Sequence, residues 1–210
     1  MDIAELGEYL DRDLSNELSW LLRAATEWYS QDCMKLAIPG YETQVFTMDS
    51  TFLHARTLFE FFTRPTQEFF YGYDAFGLSA KIPSNLYEKH WAKPLHGRLM
   101  HAQDRAKSPL VKRFASPQPK ADIKDMPVDF AKEIVRMWHG FARELEALGD
   151  PRRQQLGQRA HRILIGAKEA AEAVRSNAVT ECHIAQRKKD AKLDPGFVIE
   201  PIEWPTSFQR

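Results

Sequence analysis

The 210-residue chain has only two cysteines, no net charge and no long apolar run. Cys33 and Cys182 stand far apart and form neither a CxxC pair nor a dense framework, which excludes a disulfide-stapled secreted scaffold. No stretch approaches the roughly 18 to 20 consecutive apolar residues of a membrane span. The opening residues, MDIAELGEYLDRDL, are acidic and amphipathic, whereas a signal peptide is basic and then apolar. These absences point to a reducing, cytoplasmic setting with no membrane. HExxH, Cys/His clusters, glycine-rich phosphate loops and nucleophile elbows are also missing. His96 and His101 lie too awkwardly along a helix to share one face, and His139, His161 and His183 read as dispersed on separate surfaces. No metal and no cofactor is expected.

What the chain does have is enough apolar mass for one core, at 43% hydrophobic and 28% charged residues. The zero net charge, 29 Lys and Arg against 29 Asp and Glu, hides an uneven distribution. Residues 1–63 carry 4 basic and 11 acidic side chains, and residues 64–126 carry 11 basic and 6 acidic. Within 89–120 eight basic residues face one acid, Asp104. The balance therefore excludes a broadly cationic nucleic-acid coat but leaves a local anion site open.

Periodicity predicts helices. Ile3, Leu6, Leu10, Leu14, Leu18, Leu21, Ala25 and Trp28 recur at steps of three and four. A second helix, Gln44 to Thr63, carries Phe52, Leu53, Leu58, Phe59, Phe61 and Phe62 all round, the pattern of a central helix. Arg64-Pro65 ends it, and FFYGYDAFGLSAKIPSN reads as an irregular loop that could rim a site. Pro94 suits the first position of a third helix reaching Ala106, and a proline-rich connection follows. A fourth helix opens at Asp125 and Pro127 with Phe130, Ile134, Met137, Trp138, Phe141, Leu145 and Leu148 inward, and stops at Gly149. A fifth runs from Pro151 to about Lys189. The expected class is all-α, an up-and-down bundle of about five helices over residues 1–192 with an extended C-terminal tail over 193–210. The tail's Phe197, Val198, Ile199, Ile202 and Trp204 must bury against this bundle or a second subunit.

Chemistry concentrates in two helices. In FLHARTLFEFF, Arg56 and Glu60 stand at i and i+4 and can pair, while His54 needs a partner from elsewhere because buried polar groups are costly alone. In PLHGRLMHAQDR, Arg98, His101 and Arg105 fall within about 60° of one another. Two guanidiniums can hold phosphate oxygens bidentately while the imidazole moves a proton, with Asp104 or a bound phosphate supplying the anion. The plain alternative in both helices is structural: a satisfied polar core around His54, and a solvated polar face around His101.

The helix FLHARTLFEFF, the aromatic loop after it, and W-x-x-P-L followed by H-A-Q-D-R together resemble the HEPN superfamily of small α-helical domains, over residues 44–106. Members commonly dimerise, and many are metal-independent ribonucleases of toxin–antitoxin or defence systems, while others are inactive binding modules. The resemblance implies His101 as the HEPN histidine and Glu60 or Arg56 as the polar residue facing it. The superfamily's catalytic Arg, about four to six residues before the His, has no counterpart; Arg98 precedes His101 with only two residues between. Two readings follow. One is an RNA-cleaving or RNA-binding homodimer using His101, Arg98 and Arg105, with His54, Arg56, Glu60 and Asp104 in support. The other is a non-catalytic helical interaction protein whose polar cluster fixes packing and whose tail docks on a protein partner.

Overall fold

The computed structural model describes residues 2–34, 41–84, 126–187 and 198–208. The fold is all-α, with four long helices among the described residues where five were expected. The expected third helix, Pro94 to Ala106, lies outside them, as does the stretch 193–197 at the expected tail boundary.

Helix α1 is one rod in three parts: α-helical Ile3–Tyr9, a π-helical turn Leu10–Leu14, and α-helical Ser15–Met34. Asp2 starts it with a reciprocal capping box, its side chain accepting from the Glu5 N–H while Glu5 accepts from the Asp2 N–H. The π turn was not expected, and it has a packing reason. Leu6, Leu10, Leu14 and Leu18 follow one another at steps of four, and each such step overshoots an α-helical turn by about 40°. A wider turn, in which the Ser15 N–H reaches the Leu10 carbonyl, takes up that drift. All four leucines are consequently buried.

Helix α2, Tyr41–Thr63, buries Phe52, Leu58, Phe59, Phe61 and Phe62 against α1 and helix α3, Met126–Ala147. It is the expected central helix with one exception: Leu53 is 52% exposed. Helix α4, Pro151–Arg187, closes the arrangement by packing on both α3 and α1. The inner face expected for α3 is buried from Phe130 to Leu145. At the middle of the core, Phe61, Phe62, Phe76, Trp138 and Phe141 meet mostly edge to face, with centroids 5.1–6.2 Å apart.

The ring contacts fix direction. Phe52 meets Phe130 while Phe62 meets Trp138, so α2 and α3 run the same way. A short 3-10 turn, Tyr73–Phe76, inserts Phe76 into the core and ends at Gly77, whose φ of 80° suits glycine. From there the chain climbs beside α3: the Ile82 N–H reaches the Phe62 carbonyl, Arg136 donates to the Pro83 carbonyl, and Ser84 donates to Glu133. The alternating up-and-down order expected of five helices rests on the third, Pro94 to Ala106, which lies outside the described residues.

The tail docks on its own bundle. Residues 198–208 run extended along α3 and α4, opposite in direction to α4. Ile199 and Phe208 are buried, Ile199 beside Ala178 and Cys182, and Phe208 over Gly140 with Arg136 4.8 Å from its ring. Basic side chains receive the tail's carbonyls: Arg175 donates to Ile199, Lys168 to Pro205, and Arg143 to Phe208. Of the two destinations expected for the tail's apolar residues, this bundle or a second subunit, the bundle takes Ile199, while Val198 stays exposed.

Candidate functional site

The residues singled out on α2 are all paired within the chain. His54 Nδ1 lies 2.8 Å from Glu17 Oε2, which is the outside partner it required and comes from α1. Arg56 Nε donates to Glu60 at 3.2 Å, the expected i,i+4 pair, and Arg64 sits 3.4 Å from the same carboxylate oxygen. The two groups point to different neighbours and do not bond to each other. Beside Glu17, burial together with the charges of Asp13 and Glu17 pushes Tyr9 up to about 12, so its phenol stays protonated at neutral pH. His101, Arg98, Arg105 and Asp104 lie outside the described residues.

A second polar cluster was not foreseen. His139 and His161, read as dispersed, are brought to a ring separation of 5.9 Å because α3 and α4 pack as an antiparallel pair. His139 Nε2 bonds the Pro205 carbonyl at 3.1 Å, as does Lys168 Nζ at 3.1 Å, and His161 stands 3.7 Å from Glu146. Burial lowers the His139 pKa below its ordinary value, and the positive Lys168 and neighbouring His161 add to the effect. The folded state therefore favours neutral His139. This contribution to stability is present above the ordinary histidine pKa of about 6.5 and is lost as pH falls below it. His139→Gln, which keeps a donor for Pro205, should flatten the decline in melting temperature between about pH 7 and pH 5. A decline equal to that of the wild type would show that His139 is not its source.

The third cluster lies on the first three turns of α4. Arg152, Gln155, Arg159 and Arg162 follow at steps of three, four and three, which puts them on one face. With Gln158 they line a cleft of about 400 Å³ whose opposite wall is Ile3, Ala4 and Gly7 of α1. Arg159 pairs with Asp11 at 3.1 Å. The Arg152 N–H donates to the Asp150 carboxylate at 3.0 Å, but neither the Arg152 nor the Arg162 guanidinium forms an ion pair among the described residues, and all three arginines are exposed. The spacing is legible in PRRQQLGQRAHR, although the basic stretch at 89–120 is denser. Two guanidiniums free of ion pairs, Arg152 and Arg162, flank the Asp11-paired Arg159 on a cleft wall interleaved with amide donors, a set that suits planar, bidentate capture of phosphate oxygens.

No group of three or more His, Cys, Asp or Glu side chains among the described residues is arranged to hold a metal ion, and no described helix is long and apolar enough to cross a membrane. No family model, no curated protein and no solved structure matches the chain.

Proposed function

We propose that the chain is a HEPN-like helical protein that binds RNA as a cytoplasmic homodimer, gripping the sugar–phosphate backbone in the cleft between α1 and α4. The observation that carries this reading is the stripe of Arg152, Arg159 and Arg162 interleaved with Gln155 and Gln158. Phosphate neutralisation by such a stripe supplies sequence-independent affinity that weakens as salt rises. In the catalytic form of the proposal, His101 moves the proton while Arg98 and Arg105 hold the scissile phosphate. The non-catalytic form is favoured by one observation: His54, Arg56 and Glu60 are already committed to neighbours within the fold, as a structural clasp would be.

The test is binding of a labelled single-stranded RNA to the full chain across a salt series. Replacing Arg152, Arg159 and Arg162 together by Ala should weaken binding about 100-fold at low salt. It should also reduce the magnitude of the salt slope by about two, from roughly 0.7 per phosphate contact on a single strand. Unchanged affinity and slope would sink the assignment. Incubating RNA with the protein in chelator separates the two forms: cleavage that disappears in His101→Ala supports the catalytic one, and intact RNA supports the other.

A further inference from the structure

Trp20 is 51% exposed and Phe46 72% exposed, unusual for large aromatics in a bundle that buries most of its rings. They belong to one cleft of about 370 Å³ between α1 and α2, whose wall also carries Arg23 and Glu27, with Val174 of α4 at its side. That volume falls within the range of small-molecule sites. The Arg23 guanidinium lies 4.7 Å from the centre of the Trp20 ring. Glu27 accepts from Gln31 at 2.7 Å through one oxygen, Oε1, and lies on the cleft wall.

We infer that this cleft takes one unstacked nucleobase, stacked on Trp20 or Phe46, with its exocyclic amino group donating to Glu27. Three features of the cleft argue for a base over an aliphatic ligand or a bare anion. Two exposed aromatic rings provide stacking, Trp20 on the side that Arg23 does not cover, and every base can use it. A guanidinium plane adds a further stacking surface for a heteroaromatic ring. A carboxylate on the wall repels phosphate but accepts hydrogen bonds from an amino-bearing base edge, the chemistry by which Glu reads cytosine N4. Adenine, cytosine and guanine carry such an amino group and uracil does not, so the cleft should discriminate against uracil. The inference rests on the RNA reading above and adds a site for the base to the site for the backbone.

The experiment compares the full-length wild type with Trp20→Ala and with Phe46→Ala, using fluorescence anisotropy of labelled oligoadenylate and oligouridylate, with inorganic polyphosphate as competitor. Both residues are exposed, so thermal melts should stay at the wild-type temperature. Oligoadenylate affinity should fall at least about fivefold in each variant. Polyphosphate should bind all three proteins equally well, because it engages only the arginine cleft. Wild type should prefer oligoadenylate to oligouridylate, and Glu27→Gln should shrink that preference. Wild-type affinity for oligoadenylate in both aromatic variants would overturn the inference while leaving the RNA reading intact. Wild type that binds neither oligonucleotide would remove the RNA reading, and the base site with it.

Discussion

Trp138→Ala should lower the free energy of unfolding by about 3–5 kcal/mol, read from urea denaturation with the mutant's slope unchanged. Trp138 is fully buried at the centre of the helix packing. Its ring lies edge to face with Phe62 of α2 and Phe141 of α3, and its Nε1 donates to the Ala160 carbonyl of α4 at 2.8 Å. One side chain therefore joins three helices by apolar contact and hydrogen bonding together. Truncation leaves a cavity that rigid helices cannot collapse to fill. Trp138→Phe separates the two contributions, because it keeps an aromatic ring in place and loses the donor; it should cost about 1–2 kcal/mol. Equal losses in the two variants would assign the effect to the hydrogen bond and not to packing.

Gly157→Val should cost about 3 kcal/mol, at the upper end of overpacking effects. Gly157 sits where α4 crosses α3. A Cβ built on it would lie 2.7 Å from the Ala142 carbonyl oxygen and 2.6 Å from Glu146 Cγ. The carbonyl belongs to helical backbone and cannot step aside, so any side chain forces the two helices apart. That separation would also disturb the His139–His161 pairing across the same seam. Gly166, two and a half turns further along α4, is the internal control, because a Cβ there meets nothing within 4 Å. Gly166→Ala should stabilise the protein by about 0.4–1 kcal/mol through lower unfolded-state entropy and better helix propensity. Stabilisation by both substitutions, measured side by side, would show that the two helices do not cross closely at Gly157.

The two glycines illustrate how far the sequence could be read. Both look alike in the pattern of α4, and only the neighbouring helix distinguishes them. Local periodicity is the reliable guide: the leucine ladder of α1, the phenylalanines Phe52, Phe59, Phe61 and Phe62 of α2, and the inner face of α3 from Phe130 to Leu145 bury as their spacing predicts, with Leu53 the exception. Contacts within one helix were equally legible, as with Arg56 and Glu60, because the geometry of a single turn brings them together. The π turn in α1 is written in the same pattern, since its steps of four require a wider turn than the α-helix supplies.

Contacts between helices are a different matter. Glu17 reaches His54 across 37 residues, and no spacing rule connects them. His139 and His161 look dispersed because nothing within either helix relates them; the antiparallel packing of α3 and α4 decides their meeting. The destination of the tail was left open between this bundle and another, since apolar residues such as Ile199 and Phe208 specify that they be buried and not where.

The sequence by itself determined the all-α class, most helix boundaries and the inward faces, since these follow from a period of 3.6 residues and from a few capping and breaking residues. It also placed Arg152, Arg159 and Arg162 on one stripe. Only the tertiary structure set Ile3, Ala4 and Gly7 opposite that stripe to make it a cleft, left Trp20 and Phe46 uncovered across another, and laid the tail along α3 and α4. The physical reason is that helix formation is decided by neighbours a turn away, whereas clefts arise where side chains from distant segments pack or fail to pack.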